Sequence, residues 1–91
     1  MQKIVDDCLK NKNLSYWKPN NLMLRLMEDV GELSREINWK FGEKPKKATE
    51  EGKEFGYEIA DILFTLVCLA NSLDINLEEA FNQIMKKYEN K

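Results

Sequence analysis

Residues 58–70 read Glu58-Ile59-Ala60-Asp61-Ile62-Leu63-Phe64-Thr65-Leu66-Val67-Cys68-Leu69-Ala70. The run is apolar enough for a core helix and too short for a bilayer, which needs about 20 apolar residues. Asp61 interrupts it, and Glu58 stands three residues earlier. Positions i and i+3 share a helix face. The same spacing recurs upstream as Asp29 and Glu32, in Met27-Glu28-Asp29-Val30-Gly31-Glu32-Leu33. Two apolar helices packed side by side would place four carboxylates in one half-buried cleft. Carboxylates that close repel one another unless protons, bases or cations compensate.

The rest of the chain predicts helices around this one. Ile4, Val5, Cys8 and Leu9 give an amphipathic helix over about 2–12. A loop follows through Pro19, and Asn20 or Asn21 can cap a second helix. That helix carries Leu22, Met23, Leu26, Val30, Leu33 and Ile37 at helical spacing and ends near Lys40, before Gly42. The segment 42–49 holds Gly42 and Pro45 and reads as a connection. Helix three starts between Thr49 and Glu54 and runs to about Ser72. Asn76 and Glu79 have capping-box spacing for a fourth helix, with Leu77, Ala80, Phe81, Ile84 and Met85 as its apolar set, ending near Tyr88. No segment alternates with the period of a strand. The expectation is one all-α domain, 1–91, of four helices.

Composition narrows the chemistry. With 91 residues and a net charge of −2, the chain lacks the basic face of a nucleic-acid polymer binder. A chain of this length hides only about 60–68% of its unfolded surface. Helix three is apolar on nearly all sides, so three partner helices leave it short of cover. We therefore expect a homodimer or a homotetramer. The polar amino terminus shows no signal peptide, and no membrane association is expected. Cys8 and Cys68 fit no metal spacing; Cys68 reads as a small buried hydrophobe, and a reducing cytoplasmic setting suits both. The chain has no histidine, which removes Ser-His-Asp and Cys-His catalysis and His-ligated zinc. Acids without histidine point to a hard cation such as Mg²⁺.

Several residues carry a plain reading beside a functional one. Glu28 flanks the first acid pair and Glu36 continues its face a turn later; the plain reading makes both surface acids, with Lys40 at i+4 an available partner for Glu36. Lys44, Lys46 and Lys47 form a solvated charge run or reach a phosphate. Lys86 and Lys87 suit a helix C-terminus in any case. Trp17 and Trp39 pack, or stack a base. Thr65 lines the pocket or bonds a backbone carbonyl. Gly31 leaves room for another helix or a ligand.

Glu28-Asp29-x-x-Glu32 followed by Glu58-x-x-Asp61 resembles the E-E-x-x-E … E-x-x-D pattern of MazG-like nucleotide pyrophosphohydrolases. The all-α dCTP and dUTP pyrophosphatases share that superfamily. The likeness runs from about Pro19 to Lys91. The segments 42–47 and 69–75 look like the short YpjD-type branch. The resemblance implies Mg²⁺, with Mn²⁺ as a substitute, held by Asp29, Glu32, Glu58 and Asp61. It implies cleavage of a nucleoside triphosphate between the α and β phosphates, with Glu28 as an outer ligand or water-orienting base. By the same resemblance Lys87 and Lys91 contact phosphates, and Trp39 lies near the base; Lys47 is a further phosphate candidate. The family commonly has Glu where this chain has Asp29, and an arginine where it has Lys91. Two other readings stay compatible with the residues: a non-catalytic nucleotide or metal sensor, and a helical interaction module.

Overall fold

Four helices carry the described residues, which are 1–42 and 54–90 of a computed structural model. They are α1 (Gln2–Asn11), α2 (Pro19–Phe41), α3 (Phe55–Ser72) and α4 (Leu77–Glu89). No strand occurs among the described residues, so the all-α expectation holds. The start of α2 differs from the expected one. Pro19 opens the helix and Lys18 is its N-cap, without a side-chain cap bond. Proline suits a first helical position because its missing N–H would find no partner there anyway. At the other end, a Cβ on Gly42 would lie 2.6 Å from the Asn38 carbonyl oxygen, so this stop requires glycine. Helix α4 begins as expected, the Glu79 N–H donating to Asn76 Oδ1 at 3.1 Å.

The main packing is α2 on α3 and α1 on α3. On α2 the covered positions include Leu22, Leu26, Asp29, Leu33 and Glu36, alternating by four and three residues. A line with that spacing stays on one face, and the helix packed on α2 is α3. The matching line on α3 is Glu58, Asp61, Thr65, Cys68 and Ser72, all buried or half-buried. The Phe41 and Phe55 rings meet with centroids 6.4 Å apart. The end of α2 therefore lies beside the start of α3, and the two helices run antiparallel.

At its other end α3 is tied down by a polar clasp. Gln2 Nε2 donates to Asn71 Oδ1 (2.9 Å) and to the Ile75 carbonyl (2.6 Å). Asn71 Nδ2 donates to the Gln2 carbonyl (3.1 Å) and to the Tyr16 hydroxyl (2.9 Å). Tyr16 donates to Asp6 Oδ1 (2.8 Å), and the Leu77 N–H donates to Gln2 Oε1 (2.7 Å). One glutamine thus joins α1 to the end of α3 and the start of α4. Helices α1 and α3 both end in a left-handed residue, Asn13 (φ 56°) and Asp74 (φ 59°). The following N–H groups reach back five residues, Leu14 to Leu9 (2.8 Å) and Ile75 to Ala70 (2.9 Å), which is the Schellman closure.

The hydrophobic core is small: Leu22, Val67, Cys68 and Ala70 are buried. Exposed apolar side chains include Leu24, Met27 and Val30 on α2, Ile59, Phe64 and Leu66 on α3, and Phe81, Ile84, Met85 and Tyr88 on α4. The radius of gyration is 16.3 Å, against about 12 Å for a compact chain of this length. Helix α4 extends from the other three rather than closing over them. By length and composition alone α3 would pass as a membrane span. Its packing against two helices, with Glu58 buried and Asp61 half-buried, is that of a core helix.

Candidate active site

Two acid pairs sit on the facing helices, in different degrees of cover. Glu58 is buried, with 8% of its surface exposed, while Asp61 and Asp29 are half-buried and Glu32 is exposed. Asp29 has a loose ion pair, its Oδ2 lying 3.7 Å from Arg25 Nε. That oxygen is buried and has no hydrogen bond among the described residues. The Thr65 hydroxyl donates to the Asp61 carbonyl at 3.2 Å, one of the two readings open for it; it is spent on the helix backbone. Cys68 is buried as expected, and burial pushes its thiol up from the ordinary value.

The expected gathering of four carboxylates into one cluster is not what the described residues form. No three acids or cysteines among them converge as a ready-made metal cage. Like charges do not converge on their own, and the pairs instead lie along two facing helix lines. Gly31 has open space where a Cβ would project, with nothing within 4 Å. No described helix uses the room that glycine leaves.

Of the two readings of Glu36, the structure rules out the surface one. Glu36 is buried, with 8% exposed, and its Oε2 has no hydrogen bond among the described residues. The expected partner, Lys40, is engaged elsewhere: its ammonium lies 5.6 Å from the Phe41 ring centre and 5.4 Å from that of Phe55. A cation over aromatic faces has its own attraction. The signal for Glu36 was present in the spacing, since it follows Glu32 by four residues and Asp29 by seven.

Glu28 is exposed and lines a surface cleft of about 430 Å³ with Trp17, Asn21, Leu24 and Arg25. The Arg25 guanidinium lies 5.9 Å from the Trp17 ring centre, so the cleft has an aromatic wall with a cation beside the acids. Trp39 is half-buried with Arg35 over its ring at 5.3 Å. Lys87 is exposed on α4, which packs on neither acid-bearing helix to a comparable extent. Among the described residues, no main helix packing brings Lys87 to the acids. Lys47 and Lys91 lie outside the described residues.

The donor set suits a hard cation, being all carboxylate, and buried oxygens such as Asp29 Oδ2 are available to one. Comparison with known proteins gives the arrangement a family. The model of the MazG nucleotide pyrophosphohydrolase domain matches residues 18–91. The uncharacterized protein YpjD of Bacillus subtilis is 52% identical over 88 residues, which are 97% of this chain and 79% of that protein. dCTP pyrophosphatase 1 of Bos taurus is 35% identical over 68 residues, covering 71% of this chain but 40% of its own length. Among solved structures, YpjD of Bacillus subtilis superposes with a TM-score of 0.82 at 50% identity, covering 96% of this chain and 86% of that one. A Bacillus-conserved MazG protein, a nucleotide pyrophosphohydrolase, superposes with a TM-score of 0.78 at 40% identity, covering 97% and 84%. The fold, the paired acids on α2 and α3 and these relatives agree: the chain belongs to the MazG family of nucleotide pyrophosphohydrolases, and it is an enzyme of that class.

Proposed function

We propose that the chain hydrolyses nucleoside triphosphates between the α and β phosphates, in a Mg²⁺-dependent reaction that releases a monophosphate and pyrophosphate. The observation that carries this is acid at a helix–helix interface. Glu58 occupies a buried position on α3, and Asp29 lies on the line of α2 that faces it. Packing alone would favour apolar residues there, since desolvating a carboxylate costs several kcal/mol unless it is compensated.

In this reading Asp29, Glu32, Glu58 and Asp61 would hold the cation, which would have to draw the two facing pairs together. When bound, Mg²⁺ neutralises the triphosphate and polarises its α phosphoryl group; Mn²⁺ can substitute. Glu28, exposed beside the cleft, orients the attacking water and accepts its proton. The water oxygen bonds to the α phosphorus, the bond to the α–β bridging oxygen breaks, and pyrophosphate leaves. Trp17 with Arg25, and Trp39 with Arg35, offer flat faces for a base. Lys87, Lys91 and Lys47 are the cations for the departing pyrophosphate. Because α4 stands away from the acids, Lys87 reaches them from a second copy of the chain. The exposed apolar faces of α2, α3 and α4 support a homodimer, or a homotetramer built from two such pairs. Two of the relatives are named dCTP pyrophosphatase 1, so dCTP is the first substrate to try.

The test incubates the protein with dCTP and a panel of other triphosphates, with Mg²⁺ or with EDTA, and resolves the products. Monophosphate and pyrophosphate, formed only with Mg²⁺, are expected. Diphosphate and orthophosphate would overturn the α–β cleavage. Sedimentation as a stable monomer at micromolar concentration would overturn the oligomer.

A further inference from the structure

On its side away from α2, α3 is covered only over its carboxyl-terminal half. Val67 and Ala70 are buried there. They stand two residues beyond Thr65 and Cys68 of the line that faces α2, and so about 200° round the helix. Helix α1 packs on α3, and Gln2 meets Asn71 at this end. At 1.5 Å per residue α1 is about 15 Å long and α3 about 27 Å, so α1 leaves part of that side bare. One and two turns before Val67, the same side carries Ile59, Ala60, Leu63 and Phe64, and all four are exposed. Helix α4 has the complementary lack. Phe81, Ile84, Met85 and Tyr88 recur at helical spacing along one face, and all are exposed. The start of α4 is tied down through Gln2, but α4 packs on no described helix to the extent that α1 and α2 pack on α3.

We propose that the apolar face of α4 docks on the bare surface of α3, formed by Ile59, Ala60, Leu63 and Phe64, in a second copy of the chain, and that the second copy returns the contact. This names the interface of the oligomer proposed above; it rests on that reading and not on the chemistry of the acids. Three features select a second copy as the occupant. Each chain carries both faces, so a two-fold axis pairs them twice and leaves neither exposed. The areas are those a stable dimer needs. Taking about 200 Å² for a whole residue of this size, the α4 face exposes roughly 400 Å², and Ile59, Leu63 and Phe64 with the bordering Tyr57 expose a similar area on α3. Two reciprocal contacts would bury about 800 Å² per copy, the size of a standard interface. The edges also match in charge. Lys87 follows Ile84 by three residues and borders the α4 face, while Asp61 precedes Phe64 by three and borders the α3 face. Docking therefore carries a lysine of one copy toward the acid-bearing end of α3 in the other.

Sedimentation equilibrium of the full chain, with Phe81→Asp and Phe64→Asp beside wild type, reads the association constant, and circular dichroism checks that each variant keeps its helices. The wild-type chain should associate, and each variant should weaken association about tenfold or more. A monomeric wild type at micromolar concentration would overturn the interface and the oligomer together, and leave the reaction to its own assay. Wild-type association in either folded variant would overturn this interface alone. A second measurement holds even where those variants do not fold. In a Cys8→Ser chain, which removes the exposed cysteine, Ala60→Cys and Ile84→Cys are introduced together and treated with a short bismaleimide cross-linker. Denaturing electrophoresis should show copies linked to one another by the pair, and by neither cysteine alone. A link within one chain, no link, or a link from Ile84→Cys alone, which would set α4 against α4, would overturn the docking.

Discussion

At its carboxyl end α3 meets α1 through Asn71 and Gln2, and both groups of each side-chain amide find partners. At its amino end α3 meets α2 through Glu58 and Asp61, opposite a line that includes Glu36 with a buried oxygen lacking a hydrogen bond among the described residues. Both regions are polar and both lie between helices. The first is neutral, satisfied and specific in geometry, which is how a polar contact holds a fold. The second sets acids along both facing helices at a packed interface, which costs stability and makes sense as a place where a cation would draw them together. Polar composition alone does not separate structure from chemistry; the partners do.

Exchanging charge for an amide should divide the two regions most sharply. Glu58→Gln or Asp61→Asn should lower turnover by about 10²-fold or more, the scale of removing one group that stabilises developing charge. Urea unfolding of the same variants without metal should show stability unchanged or higher, because a crowded charge is gone. The opposite split is expected at the clasp. Asn71→Ala removes three hydrogen bonds of the clasp, with Gln2 and Tyr16 keeping only their other partners, and should cost about 1–3 kcal/mol in urea unfolding, with turnover per folded molecule preserved. A variant of either kind that lowers both quantities together would blur the distinction.

These regions also differ in how far the sequence announces them. The helices are legible because Leu22, Leu26 and Leu33 repeat at helical spacing, and Asn76 marks the start of α4 with its side chain. The acid pairs are legible because Asp61 stands inside an apolar run. The clasp is not, since Gln2 and Asn71 are ordinary polar residues 69 positions apart, brought together only by the docking of α1. The burial of Glu36 is hard to read because an i+4 lysine is the usual partner of a helical glutamate, and two aromatic rings take that lysine instead. The ends of α1 and α3 carry no glycine signal, Asn13 and Asp74 taking the left-handed position.

Smaller effects refine the structural side of the comparison. Hydrogen bonds from Lys10, then Tyr16, hold the Asp6 carboxyl below its ordinary range. A folded value lower than the unfolded one contributes stability above the ordinary carboxylate range and loses it as pH falls through the folded value. Asp6→Asn should therefore flatten this acid limb of an unfolding-versus-pH curve. The smallest expected change is Asp74→Gly. It relieves the left-handed backbone and should raise stability by roughly 0.5 kcal/mol in urea unfolding, less than the full left-handed penalty because Asp tolerates that region better than most residues.

The central claim is that the acids between α2 and α3 form a metal-dependent centre for α–β cleavage. Phosphorus magnetic resonance of dCTP incubated with wild-type protein and with Asp61→Asn, each with Mg²⁺ and with EDTA, tests it most directly. The account predicts monophosphate and pyrophosphate signals in the wild-type sample with Mg²⁺ alone. Full Mg²⁺-dependent turnover by Asp61→Asn, or release of orthophosphate and a diphosphate, would contradict it.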